Sequence, residues 1–252
     1  MIPSKTLVRA FTLAGAAAAM AVAPASAQTL PPAKQIVDRY VEAIGGREAI
    51  ASTSSRHTVA RLDLPSAGMT MDMETWQSRP NKTLMVMNIP GLIEIRQGYD
   101  GEVAWAMNPM QGPRIITGDE LKQTLVQSDF DNNLRFDHLF PTMETVAMDE
   151  AQGRPCYRVR MVTEEGNEAF GCFDTETALL LSMSMRMESE MGTVESQAEF
   201  HDYREFGGVR MPSRTAVNTM GQQMEVTVIS VDTDPIPASV FVLPAEIQAL
   251  KQ

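Results

Sequence analysis

Residue patterns that carry common enzyme chemistry are missing from this sequence. Its 252 residues include three histidines, and none of His57, His138 and His201 stands in the His-Glu-x-x-His spacing of zinc peptidases. The Gly-x-Ser-x-Gly elbow of serine hydrolases does not occur either. We therefore predict that the protein is not an enzyme, that it has no catalytic residue, and that it binds no metal and no other cofactor.

Basic residues are scarce. Lys and Arg number 21 against 32 Asp and Glu, which gives a formal net charge of −11. Nucleic-acid binding requires clustered cations that contact phosphate groups, so this balance excludes a nucleic-acid partner. The same negative charge opposes attachment to anionic lipid surfaces. A soluble carrier or binding protein fits this composition, and so does any protein with an acidic surface.

Long apolar runs are also absent, except near the N-terminus. Lys5 and Arg9 precede a segment rich in Ala, Leu and Val that ends in Ala25-Ser26-Ala27. A basic start, an apolar middle and small residues before a cleavage point are typical of a secretory signal peptide. We predict a signal peptide at residues 1–27 that is cleaved after Ala27, a periplasmic location, and no integral membrane span. Removal of Lys5 and Arg9 takes the formal net charge to −13.

Cysteine occurs only at Cys156 and Cys172. The pair flanks a turn-forming stretch, residues 163–167, which lies between two segments with strand-like composition. A hairpin would bring the two cysteines near each other, and an oxidising compartment favours a disulfide between them. Two buried free thiols are the alternative, because a disulfide requires closely spaced Cα atoms.

Hydrophobic periodicity predicts a single mainly β domain over residues 28–252. Apolar side chains at helical spacing predict a helix over 33–44 that Gly45-Gly46 ends. Strict alternation then predicts about eleven or twelve strands. Short connections such as Gly207-Gly208 make these strands mostly antiparallel.

A helical insertion interrupts the strands in the middle of the chain. Thr117 and Glu120 match the Thr-x-x-Glu capping box that precedes many helices. We predict two helices, over residues 118–130 and 132–140, with Leu121, Leu125 and Phe130 on the apolar side of the first.

Methionine is abundant, with 19 residues, and many of them alternate with polar residues. Such alternation places every second side chain on one face of a strand. An ordinary core filled with methionine, a deformable cavity for lipid-like ligands, and a Cu(I) site made of thioethers all fit this pattern. The alternating residues are Met69, Met71, Met73, Met85, Met87, Met183, Met185 and Met187.

Several segments together resemble the LolA-like family of outer-membrane lipoprotein-sorting proteins. These segments are YVEAIGG (40–46), GYDGEVAW (98–105), PMQGP (109–113), GDE (118–120), CYRV (156–159), FDTETALL (173–180) and DYREFGGVRMP (202–212). The resemblance implies a mainly β (α+β) fold, an unclosed antiparallel β-barrel of about eleven strands with helices that cover its concave face.

The resemblance also implies a periplasmic carrier that shields lipid or lipoprotein acyl chains between sheet and helices, with envelope proteins as possible donors and acceptors. Alternatives are an envelope scaffold protein without a cavity and a Cu(I)-binding protein. Under the carrier hypothesis, the predicted ligand-binding residues are Met69, Met71, Met73, Met85, Met87, Leu121, Leu125, Phe130, Met183, Met185 and Met187.

Overall fold

A computed structural model describes residues 29–89, 91, 93–132, 135–189 and 192–251. The predicted signal peptide and its cleavage point lie outside these residues. Within them, no helix is both long enough and apolar enough to cross a membrane.

Two helices open the described chain. Helix α1, Ala33–Ala43, buries the apolar side that its periodicity predicts, and α2, Gly46–Ser52, follows directly. Gly45 separates them with a φ of 126°. A Cβ atom at this position would lie 2.5 Å from the Gly208 carbonyl oxygen, so only glycine fits between the helices and the neighbouring hairpin.

The described residues form thirteen strands of one antiparallel sheet. Their bounds are β1 Ser55–Leu64, β2 Met69–Ser78, β3 Lys82–Ile89, β4 Ile93–Tyr99, β5 Ala104–Asn108, β6 Gly112–Ile115, β7 Thr142–Ala151, β8 Arg154–Val162, β9 Glu168–Asp174, β10 Leu180–Ser189, β11 Gly192–Phe206, β12 Val209–Thr219 and β13 Gln222–Asp232.

The strand order is β6-β5-β4-β3-β2-β1-β13-β12-β11-β10-β9-β8-β7. Two meanders therefore meet where β1 pairs with β13, and β6 and β7 are the edges of an unclosed barrel. This confirms the predicted fold class, with thirteen strands instead of about eleven. Strand β6 was missed because it is only four residues long and contains Gly112 and Pro113.

Residues between the two edge strands form α3, Gly118–Ser128, and the short α4, Phe136–Leu139. Both predicted helices are therefore present and shorter than expected. The predicted capping box is wrong, since the Thr117 side chain accepts no hydrogen bond from the described backbone N–H groups of α3. Glu120 instead accepts two hydrogen bonds from the Arg114 guanidinium, at 2.7 and 2.6 Å.

The two faces of the sheet are covered by different segments. We call the face beneath α1, α3 and α4 the inner face, which is the concave one. Against it pack Tyr40 of α1, Phe136 of α4 and Leu121 of α3. The outer face of β3 and β5 is covered by the C-terminal segment, which forms a 3₁₀ turn at Ala238–Phe241 and helix α5 at Ala245–Ala249.

The two cysteines form the predicted disulfide on the outer face of β8 and β9. Cys156 lies opposite Asp174, and Cys172 lies opposite Arg158, so the two are diagonal neighbours in the hairpin. Their Cα atoms are 5.5 Å apart, within the range that a disulfide spans.

Candidate functional site

The methionine rows share the inner face of the sheet. On β2 and β3, Met73 lies directly opposite Met87, and strand register places directly opposed residues on the same face. In the other half of the sheet, Met183 of β10 lies opposite Ala198 of β11, which in turn lies opposite Val217 of β12. Val217 lies opposite Met224 of β13, and Met71 is linked to the same face through Leu62 and Val226.

These methionines do not form a sealed core. Met71 is buried, with 7% of its surface exposed, while Met69 is 39% exposed. Met73, Met85, Met87, Met183 and Met185 are half-buried. Met187 continues the row on β10, although its side chain lies outside the described part of the molecule. Most of the described methionines of the inner face are therefore only partly covered.

A cavity of about 660 Å³ lies between this face and helices α1, α3 and α4. Of the predicted ligand-binding residues, Leu125, Met183 and Met185 line it. Its full lining consists of Tyr40, Leu125, Val126, Asp129, Asn132, Arg135, Phe136, His138, Leu139, Phe140, Thr163, Glu164, Glu165, Leu180, Met183, Met185, Phe200, Tyr203 and Pro212.

The remaining predicted residues lie elsewhere. The structure places Met69, Met71, Met73, Met85 and Met87 on the part of the inner face formed by β2 and β3, away from the described lining. Leu121 packs against Tyr99, Ala104, Ala106 and Ile116. Phe130 is buried with 7% exposure at the end of α3. Ligand binding by these residues stays a prediction.

Aromatic residues form much of the cavity wall, and the sequence-based list omitted them. The Tyr40 ring makes edge contacts with Phe136 and Phe173, with both centroid distances at 5.7 Å. Phe136 and Phe140 lie four residues apart and pack together at 6.0 Å. The apolar spacing within the predicted 132–140 helix was the available signal for this pair.

The deep part of the cavity carries no charge. Burial raises the pKa of Tyr40 to about 12. Burial likewise raises the pKa of Tyr203, whose hydroxyl donates a 2.8 Å hydrogen bond to the Leu180 carbonyl oxygen. Both phenols are therefore neutral at physiological pH, and the tyrosines, phenylalanines and methionines present an apolar, polarisable surface.

The mouth of the cavity is polar, in contrast. Asp129, Arg135 and His138 approach it from the connection between α3 and α4 and from α4 itself. Thr163, Glu164 and Glu165 approach it from the turn between β8 and β9. The site thus combines an apolar interior with a charged rim.

Arg79 at the end of β2 fastens the connection between the covering helices. Its guanidinium is hydrogen-bonded to Asp131 and to the carbonyl oxygens of Ile50 and Thr53, the last two at 2.9 and 2.7 Å. The guanidinium carbon also lies 4.8 Å from the centre of the Phe130 ring, and that of Arg56 lies 5.3 Å from the same centre. Burial lowers the pKa of Arg56. Residues 130–131 are therefore held between two arginines.

Within the described residues there is no cluster of three or more His, Cys, Asp and Glu side chains that could hold a metal ion.

Comparison of sequences finds no matching family model and no related curated protein. Comparison of structures does find matches. A DUF1329 family protein from Desulfovibrio piger superimposes with a TM-score of 0.62 at 13% identity, over 86% of this chain and 100% of that one. A LolA superfamily protein from Nitrosomonas europaea gives 0.56 at 11% identity, over 85% and 99%.

A putative outer membrane lipoprotein-sorting protein domain from Vibrio parahaemolyticus gives a TM-score of 0.52 at 9% identity, over 86% of this chain and 100% of that one. The fold is LolA-like. Identities this low establish the architecture alone. In the LolA-like fold of this chain, α3 and α4 join the two free edges β6 and β7, so the segment that covers the cavity also spans the opening of the barrel.

Proposed function

We propose that the protein is a periplasmic carrier that binds lipid or lipoprotein acyl chains between the inner face of the sheet and helices α1, α3 and α4. The observation that carries this proposal is the 660 Å³ cavity with its apolar, uncharged interior. Its volume falls within the roughly 300–1,000 Å³ of typical small-molecule sites. The sequence resemblance to LolA-like proteins and the lipoprotein-sorting description of one structural neighbour agree with it.

Binding in this proposal needs no covalent step. An acyl chain that leaves water gains about 0.8 kcal/mol for each buried CH₂ group. Methionine side chains rearrange easily, so Met183 and Met185 can fit chains of different shape and saturation. Leu125 and Val126 of α3 are 40% and 47% exposed, and they would close over the chain from the helical side.

The test starts from protein that is secreted with its own N-terminal segment and purified without detergent. Native mass spectrometry and extraction with organic solvent then identify any bound molecule. We expect a bound species that extracts as a lipid. A bare polypeptide that also fails to take up added acyl ligands would contradict the carrier proposal and favour the envelope scaffold alternative.

A pair of variants connects binding to the cavity. Met183→Asp and Met185→Asp each place a carboxylate in an apolar wall, where burial without a partner is costly, so we expect roughly tenfold weaker acyl binding or more. Met110→Asp is the matched control, because Met110 is 83% exposed on a turn. Secreted yield and circular dichroism verify that all three proteins fold. Equal binding by the cavity variants and the control would remove these methionines from the site.

A further inference from the structure

We infer that the rim of the cavity selects ligands by the charge of their polar end: acyl compounds with a cationic or uncharged head are accepted and those with an anionic head are rejected. This inference rests on the proposed function and adds to it the class of ligand. It starts from the division of the cavity into an apolar interior and a polar mouth.

The division fixes where the polar end of a ligand must lie. Tyr40, Phe140 and Met183 offer no charged partner inside, and a charged head buried among them would lose its hydration without compensation. The head therefore stays at the mouth, beside the α3–α4 connection and the β8–β9 turn. The depth to which the acyl chain enters the cavity sets the distance between the ligand head and the rim charges.

The rim has an excess of negative charge. Among the described lining residues, Asp129, Glu164 and Glu165 are carboxylates and Arg135 is the single guanidinium, which leaves two negative charges in excess. Arg135 donates a 2.9 Å hydrogen bond to Asp129, so its charge is already engaged by that carboxylate. Glu164 and Glu165 both project from an exposed turn.

Glu165 is held as a carboxylate by its surroundings. Its own backbone N–H and the Thr163 hydroxyl bond to it and lower its pKa, and attraction to Lys122 of α3 acts in the same direction. Lys122 attracts this carboxylate and also forms a 2.9 Å ion pair with Asp119. Glu165 thus keeps its negative charge throughout the neutral range.

The size of the expected selectivity follows from screened Coulomb repulsion. Two carboxylates within several ångströms of an anionic head should weaken its binding roughly tenfold at about 0.01 M salt, where the Debye length is about 30 Å. At about 1 M salt the Debye length falls to about 3 Å, and most of this difference should disappear.

The experiment uses three amphiphiles with the same dodecyl chain: dodecyltrimethylammonium, dodecyl maltoside and tridecanoate, whose carboxylate follows twelve alkyl carbons. Each is titrated into delipidated protein below its micelle concentration, with calorimetric detection at low and high salt. We expect tridecanoate to bind roughly tenfold more weakly than the maltoside at low salt and nearly as well at high salt. Dodecyltrimethylammonium should bind at least as tightly as the maltoside.

The double variant Glu164→Gln/Glu165→Gln assigns the effect to the rim. Because the Asp129–Arg135 pair is then what remains of the rim charges, we expect this variant to bind tridecanoate about as well as the maltoside. Its control is Glu102→Gln/Glu205→Gln, which removes the same charge from two exposed positions outside the described lining and should keep the selectivity of the wild type.

The outcomes separate the two proposals. If none of the three probes binds, the carrier function itself fails. If all bind but tridecanoate equals the maltoside at low salt, the rim inference fails and the carrier function stands. An equal change in both double variants would also overturn the inference, because it would assign the selectivity to the net charge of the molecule.

Discussion

At the residue scale, the buried carboxylate of Asp174 holds the connection between β9 and β10. One of its oxygens accepts hydrogen bonds from the backbone N–H groups of Glu176 and Thr177, at 3.0 and 2.6 Å, and from the Thr177 hydroxyl at 2.9 Å. The other lies 2.9 Å from Nε of Arg154. Burial alone would raise the pKa of Asp174, but these bonds and Arg154 outweigh burial and lower it.

Asp174→Asn should lower the free energy of unfolding at pH 7 by about 1–3 kcal/mol, because charge-assisted hydrogen bonds are lost. A carboxyl whose pKa is lower in the folded state stabilises the fold above its unfolded pKa of about 3.9, and this contribution is lost as the pH falls through the folded pKa. Urea unfolding at pH 7 and below about pH 3 should therefore show the two proteins converging in acid.

The exposed Asp72 on β2 provides the matched control for this measurement. Asp72→Asn should change the free energy of unfolding by no more than about 0.5 kcal/mol at either pH. A difference between wild type and Asp174→Asn that stays constant with pH would show that its cause is not the carboxylate charge.

At the scale of elements, the stability of helices α3 and α4 comes more from their attachment to the sheet than from their own length. Helix α4 has four residues and α3 has eleven, which is too short for stability in isolation. Arg79 compensates by binding Asp131, two backbone carbonyls and the Phe130 ring at one point. The α3–α4 segment is therefore pinned at its middle.

Arg79→Met should release this segment. We expect the free energy of unfolding to fall by about 2–4 kcal/mol, since Asp131 loses its partner in a site where the Arg79 side chain is 26% exposed. Hydrogen exchange at 129–132 and 135–140 should accelerate more than exchange in the sheet. Arg61→Met, at an exposed position of β1, is the control and should affect neither quantity. Uniform acceleration across the molecule would contradict a local pin.

The sequence predicts some of these elements well and others poorly. The alternation of Met69, Met71 and Met73 correctly predicts a strand with one apolar face, because a period of two is a local signal. The sequence does not predict the structure of the C-terminal segment, since Phe241 lies in a short 3₁₀ turn and Ile247 in a five-residue helix, and neither element is long enough to show a sustained period. Glu120 likewise matches a local capping motif, but its carboxylate accepts hydrogen bonds from Arg114 instead.

At the scale of the whole molecule, the pairing of β1 with β13 decides what the inner face contains. This pairing joins the methionine row of β2 and β3 to that of β10 through β13, β12 and β11. Strands β1 and β13 are far apart in the sequence, and no local pattern encodes their pairing. The sequence therefore predicts the two methionine rows but not that they share one face. For the same reason it predicts Met183 and Met185 as lining residues without identifying Tyr40, Phe200 and Tyr203 beside them.

Because methionines occur both in the cavity and at exposed turns, their oxidation rates can show where a ligand binds. Peroxide converts an accessible thioether into a polar sulfoxide, at a rate that falls when a bound molecule excludes the oxidant. With dodecyl maltoside bound, Met183 and Met185 should oxidise severalfold more slowly, as read by peptide mass spectrometry. Met110 and Met220, 83% and 76% exposed on turns, should oxidise at unchanged rates. Protection of Met110 and Met220 alone, or none at Met183 and Met185, would place the ligand outside the cavity and contradict the proposed carrier mechanism.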